Sequence, residues 1–207
     1  MRARVVTIAN QKGGVGKTTL AVNMAAGFAR RGACQLIDID PQKSSSLWCG
    51  TASDLDSITA GMSFEKELEL LRNRYDYLVV DCPPSLDAPG VMTAILGASV
   101  LLIPVLPSPV DLWASTRIES IVGEARKHHP LYEAYFVINQ IDERNAMSRA
   151  LAPVLSEFAV PALRNGLKRR AAYRAAALEG CSVYDLGARG RTAANEIDAL
   201  IDEVLDR

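Results

Sequence analysis

The chain has almost no net charge: 23 lysines and arginines stand against 24 aspartates and glutamates. Bulk charge therefore selects neither nucleic acid nor an anionic membrane as a partner. Its four cysteines, Cys34, Cys49, Cys82 and Cys181, are dispersed. They form no C-x-x-C pair and no metal-ligand spacing, which excludes a disulfide scaffold and a cysteine-held zinc. Its two histidines, His128 and His129, are adjacent. Neighbours cannot share a helix face, so they read as a helix end before Pro130 rather than a metal site. No apolar run is long enough to span a bilayer, and no signal peptide precedes the first apolar segment. The expected compartment is the cytoplasm. Linkers, internal repeats and low-complexity tracts are absent too, so one domain is expected over residues 1–207.

What is present is alternation. Apolar runs such as Leu78-Val79-Val80 and Val100-Leu101-Leu102-Ile103 suit strands buried on both faces. Strands are expected near 4–9, 34–39, 77–81, 99–104, 134–139 and 160–163, with a weaker one near 57–60. Helical segments near 17–31, 64–74, 88–98, 112–129, 146–158, 169–179 and 191–206 fill the gaps. This predicts an α/β fold: a doubly wound, mostly parallel sheet flanked by helices, with ligands at the strands' carboxyl ends.

The run Lys12-Gly13-Gly14-Val15-Gly16-Lys17-Thr18-Thr19 sits between the first strand and the first helix. Glycines let backbone N–H groups turn inward around phosphate oxygens, and the helix N-terminus adds favourable partial charge. Lys17 can reach the β- and γ-phosphates, and the Thr18 hydroxyl can ligate Mg²⁺. Lys12 is a second lysine that such a loop does not need for its own phosphates.

Two further strands end in acids. Leu36-Ile37-Asp38-Ile39-Asp40-Pro41-Gln42 carries two carboxylates whose alternate spacing sends them to opposite faces, so they should differ in role. Tyr77-Leu78-Val79-Val80-Asp81-Cys82-Pro83-Pro84 ends in one aspartate, placed to hold a metal-bound water.

These motifs resemble the ParA/MinD family of deviant Walker A ATPases. The family pattern KGGxGK[ST] is met residue for residue, and the likeness runs along essentially the whole chain. The resemblance implies that Gly13 to Thr19 bind ATP with Mg²⁺, and that Lys12 crosses a dimer interface to phosphates held by the other subunit. It implies that Asp40 orients the attacking water, that Asp38 lies near the phosphates and the Mg²⁺ shell, and that Asp81 belongs to a switch. Lys43, Ser46 and Cys82 depart from residues common in the family, which are glycine, threonine and threonine respectively.

Downstream, Pro104, Pro107 and Pro109 fix an extended path into a helix. By resemblance this segment leads to dimer contacts, with Asp111 near the active site. Trp113 lies either at the interface or in the core. Asn139 ends a strand where it can read a base edge. Asn139-Gln140-Ile141-Asp142 is not the NKxD that recognises guanine, so adenine is favoured.

Arg164, Lys168, Arg169, Arg170 and Arg174 cluster with no acidic residue between 164 and 174. Such a cluster is either a solvated helix face or a grip on DNA phosphates that reads no bases. The resemblance favours non-specific DNA binding. The final segment carries Glu196, Asp198, Asp202, Glu203 and Asp206 against Arg207 alone, which disfavours an anionic membrane. The function expected is a small ParA-type ATPase that is nucleoid-associated, forms an ATP-bridged homodimer and answers to a ParB-like or other adaptor. Its cargo would be a plasmid or chromosome; the alternatives are a protein cargo such as a carboxysome or chemoreceptor cluster, or a MinD-like or metabolic ATPase of the same fold.

Overall fold

The computed structural model describes residues 2–50, 57–59, 64–108 and 116–207. Its strands are β1 (Arg4–Ile8), β2 (Cys34–Asp38), β3 (Ser57–Thr59), β4 (Tyr77–Asp81), β5 (Val100–Val105) and β6 (Glu133–Ile138). They form one parallel sheet in the order β3-β2-β4-β1-β5-β6. The helices are α1 (Lys17–Ala29), α2 (Ser44–Cys49), α3 (Phe64–Leu71), α4 (Val91–Leu96), α5 (Thr116–His128), α6 (Ala146–Leu155), α7 (Ala171–Glu179) and α8 (Arg191–Leu205).

Strand alternation divides the core into two layers. Val6, Ile8, Leu36, Val79 and Leu102 pack against Leu20, Met24 and Phe28 of α1 and against Ile197, Leu200, Ile201 and Val204 of α8. Val5, Ile37, Leu78, Val80, Leu101 and Ile103 face Phe64, Leu68, Val91, Ile95, Ile118 and Val122. The acidic final segment thus buries an apolar stripe, Ile197, Leu200, Ile201 and Val204, on the protein body.

The expected strand at 160–163 is corrected. Only an isolated bridge joins Phe136 to Ala162, with a second between Ile141 and Lys168. Pro161 has no N–H to give a ladder. The segment instead runs along β6, with Leu163 and Leu167 N–H groups donating to Phe136 and Ile138 carbonyls at 2.9 Å each. Those bonds cover the edge of the sheet. Helix α2 was not expected from the sequence. Asp111 and Trp113 lie outside the described residues.

Candidate functional site: a phosphate loop, three carboxylates and an arginine-walled cavity

Residues 9–16 connect β1 to α1 in the middle of the sheet, at its carboxyl edge. Gly14 and Gly16 have φ of 77° and 90°, a region L side chains rarely adopt. A Cβ on Gly16 would sit 2.1 Å from the Asn139 amide nitrogen. That nitrogen donates to the Val15 carbonyl at 2.7 Å, tying the end of β6 to the loop. Asn10 is fully buried, donates to the Pro104 carbonyl at 2.9 Å and accepts the Lys12 N–H at 3.1 Å. The loop is therefore held from β5 and β6 before any ligand arrives. Lys17 is buried at the first turn of α1, and its Nζ donates to the Lys12 carbonyl at 2.9 Å. Burial holds the Lys17 ammonium below the usual lysine range, against the opposing pull of Asp81, Cys82 and Asp40.

Register places Asp38 of β2 beside Asp81 of β4, and Ile8 of β1 on the other side of Asp81. Asp38 accepts the Asp40 N–H at 3.0 Å with one oxygen and the Ser46 N–H at 2.9 Å with the other. It is a fastener for the loop after β2, which is more specific than the position near the phosphates expected of it. Asp40 is nearly buried, and its Oδ1 accepts the Gln42 N–H at 2.9 Å. Lys43, with φ of 54°, then turns the chain into α2.

Asp81 is fully buried and neither carboxylate oxygen has a hydrogen-bond partner. Burial pushes its carboxyl up to about 7; the Thr18 hydroxyl lowers it, the Asp38 charge raises it, and the Ser45 hydroxyl and Lys17 lower it again. The two hydroxyls are thus close enough to act as donors to it, though neither bond is completed in this position. A buried carboxylate with no completed hydrogen bond, flanked by hydroxyls and facing a phosphate loop, has the hard oxygen chemistry that Mg²⁺ and its waters require. The residues fit that ion, which Thr18, and Asp81 through a water, would hold.

A cavity of about 190 Å³ adjoins the loop, with Gly16, Thr19 and Asn139 on one side. Lys168, Arg169, Arg170, Tyr173 and Arg174 form the other. Four of the five residues expected to touch DNA therefore also wall the space beside the phosphate loop. Their charge is not free in the way the sequence suggested. Arg170 pairs with Glu196 at 2.6 Å, Lys168 with Glu143 at 2.6 Å and Arg164 with Glu203 at 3.5 Å. Arg169 and Arg174 have no carboxylate partner among the described residues. Larger cavities, of about 830 and 550 Å³, lie around α4, away from the loop and its carboxylates.

Sequence reasoning missed three residues of this site. Asn10, in an Asn-x-Lys turn at the mouth of the loop, carried a readable signal. Ser45 sat in an unremarked serine run. Glu196 lies 26 residues from Arg170, too far for any local pattern to expose.

The chain matches the family model for the CobQ/CobB/MinD/ParA nucleotide binding domain over residues 6–183. It is 41% identical to the "maintenance of carboxysome distribution protein A" of Halothiobacillus neapolitanus, across 99% of this chain and 97% of that protein. A Cyanothece McdA solved in complex with ATP superposes with a TM-score of 0.77 at 17% identity, over 98% of this chain and 96% of that one. The septum site-determining protein MinD of Pyrococcus horikoshii, complexed with Mg-ADP, gives 0.74 at 18% identity, over 98% and 97%. The two structures share the fold with this chain.

Proposed function

The chain belongs to the CobQ/CobB/MinD/ParA family of nucleotide-binding domains, and from that premise we propose that it is a ParA-type ATPase distributing a protein cargo of the carboxysome kind. The observation that carries the ATPase reading is the pair of lysines on one glycine loop, facing a buried aspartate with no completed hydrogen bond. The cargo reading rests on 41% identity along nearly the full length of a carboxysome distribution protein. It replaces the plasmid or chromosome cargo expected from the sequence.

Each residue then has a task. Backbone N–H groups of Gly13 to Thr19 cradle the phosphates, and Lys17 exchanges the Lys12 carbonyl for phosphate oxygens. Thr18, and Asp81 through a water, would hold Mg²⁺, which supplies charge neutralisation when bound. Asp40, at the end of a loop fastened by Asp38, orients water for attack on the γ-phosphate. Lys12 reaches the nucleotide of a second copy, so ATP joins the dimer and hydrolysis releases it. The base and ribose occupy the cavity between Asn139 and the Lys168–Arg170 segment. Because the Asn139 amide nitrogen is committed to Val15, this residue shapes the wall more than it reads the base edge.

The dimer rides on nucleoid DNA through Arg169 and Arg174. The partner that triggers hydrolysis is a cargo-bound adaptor. Among the described residues no helix is long and apolar enough to cross a membrane.

Binding to a non-specific duplex with ATP, with ADP and without nucleotide, across a salt series, tests the cycle. Four contacts per dimer, from Arg169 and Arg174 of each subunit, give a slope of log K against log salt of about −3.6. A steeper slope means that Arg164, Lys168 and Arg170 exchange carboxylates for phosphates. No ATP-dependent binding would remove DNA from the cycle. For the cargo, a carboxysome-associated adaptor should accelerate hydrolysis where a centromere-binding protein does not; the reverse result restores the partition reading.

A further inference from the structure

The run Ser44-Ser45-Ser46 follows Lys43 into α2, and its three hydroxyls have different surroundings. Ser44 is exposed, Ser46 is half-buried and Ser45 is completely buried. Ser45 shares the inner face of α2 with Cys49, four residues on, as helical spacing requires. That face looks toward the carboxylates: the Asp38 and Asp81 charges both act on the Cys49 thiol. Asp38 sets this orientation, since it accepts the N–H groups of both Asp40 and Ser46 and so clamps the turn on either side of Lys43.

The Ser45 hydroxyl has no hydrogen-bond partner in this position, although a serine in the first turn of a helix normally finds one. An orphaned buried hydroxyl lowers stability, and alanine would fill the same place without that cost and with better helix propensity. The Asp81 carboxylate beside it is orphaned as well. The Ser45 hydroxyl is close enough to that carboxylate to lower its pKa without completing a hydrogen bond to it, so three buried oxygens, one from Ser45 and two from Asp81, lie together short of full partners. The hydroxyl can donate to only one carboxylate oxygen, so the lone pairs that remain on both groups have room for a further donor such as a metal-bound water.

We propose that the Ser45 hydroxyl is part of the divalent-metal site, where it would hydrogen-bond to a metal-bound water. This rests on reading Thr18 and Asp81 as the holders of Mg²⁺. It gives α2, and through it the Asp40 loop, a direct contact with the metal's hydration shell. Nearby groups that bear on the same water are Asp38, Asp40, Asp81 and Lys17.

The test is a Mg²⁺ titration of full-length protein saturated with a fluorescent ADP analogue, comparing wild type with Ser45→Ala. Loss of an outer-shell partner should weaken Mg²⁺ binding roughly tenfold, while analogue affinity in EDTA stays the same. The metal-free melting temperature should stay level or rise, and the increment added by Mg²⁺ should shrink. Ser45→Cys, which keeps the volume with a poor hydrogen-bonding group, should reproduce the weakened Mg²⁺ binding. Unchanged Mg²⁺ affinity in both variants overturns the proposal. A wild-type protein that binds the analogue with no response to Mg²⁺ would instead overturn the reading of Thr18 and Asp81.

Discussion

The Lys17 ammonium and the Lys12 carbonyl oxygen lie 2.9 Å apart in a hydrogen bond, so the two lysines of the loop meet through the main chain of one and the side chain of the other. Truncating the Lys12 side chain leaves that bond in place. Lys12→Ala should therefore keep nucleotide affinity close to wild type and shift stability by less than about 1 kcal/mol. ATP-dependent dimers, which need the ammonium group itself, should disappear. Light scattering with and without ATP reads this directly, and dimers that persist in the variant would assign Lys12 no part in bridging.

Asp40 combines a loop role with a chemical one, and the two can be separated. Its Oδ1 accepts the Gln42 N–H. Asparagine retains that acceptor and loses the charge. Asp40→Asn should thus leave the turn and the ATP-bound dimer intact while slowing single-turnover hydrolysis by about 10²–10⁴-fold. Hydrolysis at the wild-type rate would remove Asp40 from the position of the water-orienting group.

The sheet and the phosphate loop were legible because each rests on local physics. Runs such as Val100 to Ile103 have no polar face and must be buried on both sides, and the glycines at 14 and 16 sit where φ is positive. Helix α2 was illegible for the opposite reason. Ser44, Ser45 and Ser46 show no apolar periodicity, and the helix is started from outside, by Asp38 holding the Ser46 N–H. The pairing of the basic cluster was illegible for a related reason: Glu196 and Glu203 arrive from α8 to meet Arg170 and Arg164. Pro161 and Gly166 mark why the segment after α6 does not form a strand. The proline cannot donate, and a Cβ at Gly166 would meet the Ile138 carbonyl at 2.5 Å.

Gly16 and Asn139 form a coupled pair. Alanine at Gly16 adopts φ of 90° and places its Cβ against the Asn139 amide. The left-handed conformation costs about 1–2 kcal/mol, and overpacking adds about 1–3 kcal/mol. Asn139→Ala leaves the Val15 carbonyl without its donor, at about 1–3 kcal/mol. In the double variant the clash is gone, so the two losses should fall short of additivity by about 1 kcal/mol or more. Urea denaturation of the four proteins measures this. Strict additivity would show that Gly16 tolerates a side chain by moving the loop rather than pressing on Asn139.

Glu203 governs the segment opposite Asn139 from a distance. Its Oε1 accepts the Arg164 N–H and its Oε2 the Asn165 N–H, both at 2.9 Å, and Arg207 pairs with it at 3.2 Å. Burial by itself would raise the carboxyl, but these N–H groups, Arg207 and the Asn165 amide outweigh it and hold Glu203 below the usual value of 4.5. A folded-state pKa below the unfolded one stabilises the protein above about pH 4.5, and that stabilisation is lost as pH falls through the folded value. Glutamine offers one acceptor oxygen where two are used. Glu203→Gln should therefore cost about 2–3 kcal/mol at pH 7, and the gap to wild type should close as the buffer is taken below pH 4.5. Nucleotide affinity should fall with it at neutral pH, because the chain from 163 to 170 is anchored at that carboxylate before it reaches the cavity. A gap in stability that stays constant into acid would mean that shape, and not charge, is what Glu203 contributes.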